Sequence, residues 1–314
     1  IINIEMVYSN LAESLHLKYE GERAFILGNG PSLDETPLKK LESEYTFAVN
    51  KINKIYKQTT WRPSFFFAGL PPSSPLFPPV ESENNPMTYH INNGYTCFLP
   101  HQAYDHYGDQ NNVYYYNRFW LGEETNPFHN MSIKDIEEIN ESHLLEYWST
   151  DASNLIYIYH SLYGLAQLVM WMGFDEIYFI GTDLGLEYRD PHMIFDNGLD
   201  PHRFSGTKKE FLVDARGKNK FITSLVNGIA MKLIKNNYLN SMLQNFTSIT
   251  DSSHFEASYF DDLRIWDGPQ FDRELIKSHT AIQRIANYHG INVYNATVGG
   301  ELEVYPRVNI EDLL

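Results

Sequence analysis

The sequence contains a single cysteine, Cys97, among 314 residues. A disulfide within the chain and a zinc site built from cysteines are therefore excluded. No apolar run reaches the roughly 18 residues that a transmembrane segment needs. We see no secretory leader, and we expect a cytoplasmic location, with peripheral attachment to the inner membrane left open. Because the chain begins with Ile1 rather than Met, we expect it to be a piece of a longer product.

Basic residues are also few. The chain has 24 Lys and Arg against 40 Asp and Glu, which gives a formal net charge of −16. Nucleic acid is therefore not an expected partner, and neither is an anionic membrane bound through a basic face, since both depend on Lys and Arg. An anionic ligand would have to be held by local hydrogen-bond donors. Aromatic residues are abundant, at 15%, and tyrosines in such numbers line sugar or base sites or pack in the core.

Several familiar catalytic motifs are missing. The chain has no Walker A loop and no zinc-protease H-E-x-x-H pattern. A G-x-S-x-G elbow is also absent, so serine-hydrolase chemistry is not expected. The dinucleotide fingerprint G-x-G-x-x-G is incomplete, because Leu33 stands where its third glycine would be.

The most informative segment is a short apolar run followed at once by Gly28-Asn29-Gly30-Pro31-Ser32. This pattern predicts a buried strand, a tight turn and the start of a helix. Gly28 can adopt a positive φ, Gly30 lets a ligand approach the backbone, and Pro31 suits the first helical position. Free amides at such a helix start bind anions, so the segment predicts a site for a phosphate-bearing ligand. A purely structural strand-to-helix turn is the alternative interpretation.

Apolar runs bounded by turn residues alternate with helical patterns along the chain. Strands are predicted at Ala24–Leu27, Tyr45–Val49, Ser64–Ala68, Thr96–Leu99, Val113–Tyr116, Glu176–Ile180 and Ile291–Tyr294. Helices are predicted at Ile2–Tyr19, Ser153–Met172, Phe211–Leu243 and Arg273–His289. This alternation, with runs that read as buried on both faces, predicts an α/β, Rossmann-like fold with a mainly parallel sheet and helices on both sides.

The composition changes at residues 71–79, a proline-rich stretch that regular helix and central strand do not accommodate. We therefore expect residues 1–70 and 149–314 to form the Rossmann-like domain, with residues 1–20 as an N-terminal helix. Residues 71–148 are expected to form an irregular insert over one end of the sheet. Aromatic residues are dense within that insert, which favours a packed cap over a solvated loop.

Polar residues follow several predicted strands. Asn50, Gly69 and the segment 181–183 stand at strand ends, as does the turn at Gly28. Ligands of parallel sheets bind beyond these carboxyl ends, so we expect the four positions to converge on one site. Asn29 and Asn50 can hold a sugar or phosphate oxygen, or form structural turns.

Acidic and histidine residues offer further chemistry. Asp183 could hold a ribose hydroxyl, a backbone amide or, with Glu187 and Asp190, a divalent cation, although acids on a polar loop are also found simply solvated. A histidine has an ordinary pKa that suits a general base, and the candidates in polar loop context are His192, His202 and His254. Each of them could equally be a hydrogen-bonded loop residue.

Four short blocks resemble one group of enzymes. Residues 26–33 resemble the opening motif of bacterial family 42 sialyltransferases and of the related MptE-like and motility-accessory-factor group. Residues 47–50 are similar to the second-strand motif of the sialyltransferases, and residues 160–164 together with 173–184 resemble their third block. Residues 294–300 are similar to the closing motif of the MptE-like group. The blocks span most of the chain.

The resemblance implies a domain that binds a CMP-activated nonulosonic (sialic-acid-like) sugar. By position, Asn29, Asn50 and Ser161 would contact the nucleotide or its phosphate, within a site formed by Gly28, Gly30, Pro31 and Ser32. Gly181 and Asp183 would lie along the ribose.

The same resemblance implies a histidine base before the last helix. His254 is the nearest match, and Tyr259 follows it closely. At the position of the phosphate-binding tyrosine of the family this chain has Gly185, so Tyr188 is the candidate replacement.

The implied reaction is an inverting transfer to a glycan or protein acceptor, with no metal and no other cofactor. Whether the chain forms a homo-oligomer is left open. An MptE-like pyrophosphokinase is the alternative enzyme. It would move diphosphate from ATP, with magnesium held by Asp183, Glu187 and Asp190. A nucleotide- or glycan-binding module without turnover is the non-enzymatic alternative.

Overall fold

The computed structural model of the chain describes residues 14–74, 77–121, 125–184 and 268–314. Its strands are β1 (Arg23–Leu27), β2 (Tyr45–Val49), β3 (Phe65–Phe67), β4 (Thr96–Pro100), β5 (Val113–Trp120), β6 (Asn154–Tyr157), β7 (Glu176–Ile180) and β8 (Asn292–Asn295). Its α-helices are α1 (Pro86–Asn92), α2 (Tyr104–Tyr107), α3 (Ile133–Glu138), α4 (Glu141–Leu145), α5 (Ser161–Trp171), α6 (Gly268–His289) and α7 (Ile310–Leu313). Short 3-10 helices lie at Pro31–Asp34, Leu38–Ser43, Asn50–Lys57 and His101–Ala103.

The strands form one sheet in the order β6-β5-β4-β3-β2-β1-β7-β8. Every strand pairing in it is parallel. The chain builds the sheet outward from β1 to β6 and then returns to the other side of β1 with β7. The strand order therefore reverses between β1 and β7, and a crevice opens beyond the strand ends at such a reversal. The predicted α/β, Rossmann-like fold is confirmed.

Both faces of the sheet are buried, because successive side chains of a strand point to opposite sides. Ala24 and Ile26 of β1 belong to the core that includes residues of α5 and α6. Phe25 and Leu27 belong to the opposite core, which includes residues of the 3-10 helices and of α1. Two covered faces explain why the strands read as continuous apolar runs rather than as alternating ones.

The predicted helix over Ser153–Met172 is wrong in its first part, where residues Asn154–Tyr157 form β6 at one edge of the sheet. Leu155 and Tyr157 are buried in this strand, and Ile156 between them is only partly buried. The helix begins only at Ser161, after a bend in which Tyr159 has a φ of 63°. A short apolar run fits a strand and a buried helix equally well, so periodicity alone could not separate the two.

Residues 71–148 are continuous with the sheet rather than apart from it. β4 and β5 come from this segment, and β4 pairs with β3 in parallel register. The boundary predicted after residue 70 therefore does not coincide with a break in the sheet. The proline-rich start of the segment is irregular, as expected, and the strands resume once it has been passed.

The predicted helices near the two ends of the described chain had different outcomes. Most of the predicted helix over Ile2–Tyr19 lies outside the described residues, but residues 14–21 form turns, and Leu17 has a φ of 51°, which an α-helix does not allow. The predicted helix over Phe211–Leu243 lies outside the described residues. The last long helix, α6, is confirmed and ends before Gly290, whose φ is 72°. Across these ranges, no helix is both long and apolar enough to cross a bilayer.

Candidate functional site

The turn after β1 lies directly against the end of β7. The amide of Gly28 donates to the carbonyl of Ile180 at 2.8 Å, and the amide of Gly30 donates to the carbonyl of Gly181 at 2.9 Å. The pairing of the two strands therefore continues past their last residues, to the point where the strand order reverses. Gly28–Ser32 and Gly181–Asp183 form one wall of the candidate site.

Gly28 and Gly30 are glycines for a different reason from the one predicted. Gly30 has a φ of −69°, and Gly28 is also outside the positive-φ region. A Cβ on Gly28 would lie 2.4 Å from the carbonyl oxygen of Gly181. A Cβ on Gly30 would lie 1.7 Å from Oδ2 of Asp183. The two glycines therefore let the turn pack against β7 and the residues that follow it, and the protein itself occupies the space that we assigned to a ligand at Gly30.

Asp183 also occupies the predicted anion site. The hydroxyl of Ser32 donates to Oδ2 of Asp183 at 2.9 Å, and the amide of Ser32 lies 3.3 Å from both carboxylate oxygens. Pro31 holds the first helical position as predicted, but the 3-10 helix that it opens is only four residues long. The amide expected to bind a ligand phosphate therefore already has a carboxylate of the protein as its partner.

The side chain of Asp183 is buried, and the residue is only 7% exposed. Burial raises its pKa from the ordinary value of 3.8 to about 6, and the hydrogen bonds from Ser32 oppose that rise. A buried carboxyl with a perturbed pKa, at the reversal point of a parallel sheet, is typical of a functional site.

Asn50 forms the second wall of the site. Its Oδ1 accepts a hydrogen bond from the amide of Gly69 at 3.0 Å, and its Nδ2 donates to the hydroxyl of Ser161 at 3.3 Å. Asn50 has a φ of 50°, a conformation that asparagine tolerates better than most residues. A Cβ on Gly69 would lie 2.0 Å from Oγ of Ser161. The ends of β2 and β3 and the start of α5 therefore meet at this asparagine.

Asn29 connects the two walls. Its Nδ2 donates to the carbonyl of Val49, the last residue of β2, at 3.1 Å. The residue is 8% exposed and its side-chain amide bonds to backbone, so this asparagine has a structural role. The turn that carries it is thereby attached to the strand that leads into Asn50.

His160 lies beside the candidate site, next to Ser161, and was not among the predicted site residues. Its Nδ1 accepts a hydrogen bond from the amide of Leu162 at 3.2 Å, which caps α5. The proton is therefore on Nε2, which lies 2.5 Å from the hydroxyl of Ser278, and that hydroxyl donates to the carbonyl of Leu275 at 2.7 Å. Burial lowers the pKa of His160 to about 3, so the ring is neutral. The signal in the sequence was a polar residue immediately before an apolar helical run.

The loop after β8 is a second missed component. Thr182 and Thr297 share a hydrogen bond at 2.9 Å between their hydroxyls. A Cβ on Gly300 would lie 3.0 Å from Cα of Asp183. Arg307 donates to the carbonyls of residues 299 and 300, at 2.6 and 2.8 Å. The arginine therefore holds this loop beside Asp183, on the side of β7 away from β1.

The predicted site residues fall into two groups. The structure brings together Gly28, Asn29, Gly30, Pro31, Ser32, Asn50, Ser161, Gly181 and Asp183 at one edge of the sheet. The predicted catalytic residues lie outside the described residues, as do the other acids and histidines weighed with them; these are His254, Tyr259, Tyr188, Gly185, Glu187, Asp190, His192 and His202.

Comparison with protein-family models, with curated proteins and with solved structures finds no match to this chain. What the chain does is therefore inferred from the geometry of its strand ends and from the residues that stand there.

Proposed function

We propose that this chain is a glycosyltransferase that transfers a nonulosonic sugar from a CMP-activated donor to a glycan or protein acceptor, with inversion. The observation that carries the proposal is that Gly28–Ser32 and Gly181–Asp183 lie at the strand reversal, with Asn50 and Ser161 beside them at the ends of β2 and β3. Nucleotide ligands of Rossmann-like sheets bind in the crevice at this point.

In this proposal, the ribose lies against Asp183. An ionised carboxylate accepts hydrogen bonds from sugar hydroxyls and repels a phosphate, so it suits the sugar part of a nucleotide and not its charged part. The amide of Ser32 is already bonded to this carboxylate, which removes it as a phosphate donor. The glycine turn acts on the ligand indirectly, by holding Asp183 in place.

The donor phosphate is assigned to the corner made by Asn50 and Ser161. The 11-residue helix α5 begins at Ser161, and the positive end of its dipole favours an anion there. The amide of Asn50 and the hydroxyl of Ser161 are neutral donors at that corner. His160 fixes the first turn of the helix through its bond to the amide of Leu162.

His254, outside the described residues, is the proposed base. It would take a proton from an acceptor hydroxyl, whose oxygen then attacks the anomeric carbon of the donor sugar while CMP leaves. Hydrogen-bond donors would stabilise the charge that develops on the leaving phosphate. Because the unperturbed pKa of histidine lies near neutral pH, this side chain suits the role.

A thermal-shift screen tests the binding half of the proposal. The protein is melted with CMP, CDP, UDP, GDP and ATP, each with magnesium and with a chelator, since a ligand that binds the native state raises the melting temperature. We expect a shift with CMP that does not need magnesium. Ser161→Ala is expected to reduce that shift, and Ser142→Ala, a change at the exposed start of α4, is the matched control. A magnesium-dependent shift with ATP alone would favour the pyrophosphokinase instead.

A turnover assay tests the catalytic half. A labelled CMP-sugar is incubated with glycan acceptors, and released CMP and labelled product are measured together. His254→Ala is expected to lose transfer while it keeps the CMP-dependent thermal shift. Near-normal turnover in that variant would reject its role as the base. A CMP shift without product, in the wild type and with every acceptor tried, would favour the binding module.

A further inference from the structure

Two large aromatic side chains are exposed at the end of β5. Phe119 is 52% exposed and Trp120 is 50% exposed, and both lie near the carboxyl end of their strand. Because side chains alternate along a strand, Trp120 shares a face with Arg118, and Phe119 points to the opposite face. Trp120 is the cross-strand neighbour of Tyr157 on β6. The end of β5 therefore exposes Trp120 on the face that carries Arg118, and Phe119 on the opposite face.

Arg118 lies over both rings of its own face. Its Cζ is 4.8 Å from the ring centroid of Trp120 and 4.9 Å from that of Tyr157. Contacts of this kind leave the N–H donors in the plane of the guanidinium open. Nε is buried and has no hydrogen-bond partner, and no carboxylate in the described chain pairs with this side chain. Among the residues that the structure describes, Arg118 is thus a positioned cation with no carboxylate partner.

A row of stacked rings leads from this arginine to the candidate site. Phe67 stacks on Tyr116 with centroids 5.2 Å apart, and Tyr116 stacks on Tyr157 at 6.2 Å. The hydroxyl of Tyr116 lies 2.6 Å from the carbonyl of Ala68, the residue before Gly69. The arginine and the Asn50 corner therefore belong to one continuous edge of the sheet.

Helix α5 supports the same row from the other side. A Cβ on Gly164 would lie 2.6 Å from the ring of Tyr157, so the ring packs directly on the helix backbone. Ser161 is one turn earlier in the same helix. Tyr157 is therefore held in place between Arg118 and the helix that begins at the proposed phosphate corner.

We propose that Arg118 and Trp120 form a subsite for a carboxylate-bearing sugar of the acceptor, with the buried ring of Tyr157 supporting the guanidinium from below. An exposed indole offers a flat apolar surface to a sugar ring, and a guanidinium offers paired donors to a carboxylate. A formal net charge of −16 disfavours the approach of an anion to the chain as a whole, so a carboxylate needs a local cation such as this one. The binding of the acidic sugar stands by itself, and its role as acceptor rests on the proposed function.

The test measures the affinity of 3′-sialyllactose and of its methyl ester by calorimetry, in the absence of any nucleotide. We expect the wild type to prefer the free acid, and Arg118→Gln to bind the acid about tenfold more weakly, because a hydrogen-bonded charge pair is lost. Trp120→Ala is expected to weaken both ligands. Phe119→Ala, which removes an equally exposed ring from the opposite face, is the matched control and is expected to bind as the wild type does.

Three outcomes would overturn the subsite. They are equal binding of acid and ester by the wild type, unchanged affinity in Trp120→Ala, and a loss in Phe119→Ala as large as that in Trp120→Ala. Inorganic phosphate is titrated in parallel, and binding of phosphate alone would also reject a sugar subsite. Trp120 is half exposed, so its variant keeps the test decisive if Arg118→Gln does not fold. The thermal shift with CMP is read separately, so a failure here is distinguishable from a failure of the proposed donor site.

Discussion

Gly30 and Asp183 are so close that a single carbon added to Gly30 would lie 1.7 Å from a carboxylate oxygen. The same carboxylate accepts the hydroxyl of Ser32 at 2.9 Å. The turn after β1 and the segment after β7 are thus built around each other, at the point where the sheet reverses its strand order. A pattern that resembles a phosphate loop here encloses an acidic side chain of the protein.

Gly30→Ala is expected to destabilise the protein by about 3 kcal/mol, since the new methyl group has to displace a hydrogen-bonded carboxylate and the backbone carbonyl of Gly181. Gly94→Ala is the control, because Gly94 has a φ of 76° and no atom within 4 Å of the place that a Cβ would take. It is expected to cost about 1 kcal/mol, for backbone conformation alone. Urea unfolding measures both values, and equal losses would contradict the packing argument.

Asp183→Asn is expected to change how stability depends on pH. Below about pH 4, both the folded and the unfolded carboxyl hold a proton. Between about pH 4 and 6, the unfolded carboxyl ionises while the folded one, with its pKa raised to about 6 by burial, does not. The native state then binds more protons, so its stability falls as pH rises.

The rise in the pKa of Asp183 from 3.8 to about 6 corresponds to about 3 kcal/mol of unfolding free energy. The wild type loses this stability between pH 4 and 6, and the loss stays constant above that range. Unfolding free energies of the wild type and of Asp183→Asn at pH 4, 5, 6 and 7 measure the difference. A difference that does not vary with pH would show that the carboxyl titrates normally.

His160→Asn is expected to remove a pH dependence of the opposite sign, in which the wild type becomes less stable as the pH is lowered. The pKa of His160 is lowered to about 3 by burial, so between about pH 6.5 and 3 the unfolded ring takes up a proton that the folded ring refuses. Stability of the wild type therefore falls as pH is lowered through this range. Asparagine can still cap α5, so the variant loses the titration and keeps the cap.

The acid-induced loss of stability is expected to be less steep in His160→Asn, by about 1 kcal/mol per pH unit. Some slope remains, because the pKa of the buried His279 is also lowered. Urea unfolding at pH 4, 5, 6 and 7 tests this, and parallel curves for the two proteins would contradict it.

Asn50→Gly and Asn50→Ala separate the backbone from the side chain at the second wall. Both variants lose the hydrogen bonds to Gly69 and Ser161, at a cost of about 1–2 kcal/mol. Asn50→Ala is expected to be less stable than Asn50→Gly by about 1 kcal/mol, because alanine is strained at a φ of 50°. If alanine is tolerated as well as glycine, the left-handed conformation at Asn50 carries no cost.

Local patterns predicted most of the sheet. The runs that became β1, β2, β3, β4, β5, β7 and β8 are apolar, short and bounded by turn residues, and both faces of the sheet are covered. β6 was missed because Leu155 and its neighbours follow directly into an apolar helix, and only pairing with β5 makes them a strand. The boundaries of the segment 71–148 were predicted from composition, and composition does not reveal that β4 and β5 of this segment join the same sheet.

The sequence predicted which residues lie at the candidate site, but it did not predict the contacts between them. Strand ends bearing Asn50, Ser161 and Asp183 could be collected from the sequence, since the ends of parallel strands lie at one edge. Asp183 accepts a hydrogen bond from the amide of Ser32, and His160 is hydrogen-bonded to Ser278. The partners in these two bonds are 118 or more positions apart in the chain. No local pattern encodes distances of that kind.

The amino-acid sequence by itself determined the class of the fold, because apolar periodicity and turn residues act over a few neighbouring positions. Tertiary structure alone decided the strand order, the partner of each strand end and the reason for each glycine of the turn. Gly30 has an ordinary φ, so nothing local requires a glycine there. Its lack of a side chain is explained by a carboxylate 153 residues further along the chain, which the parallel pairing of β1 with β7 brings alongside.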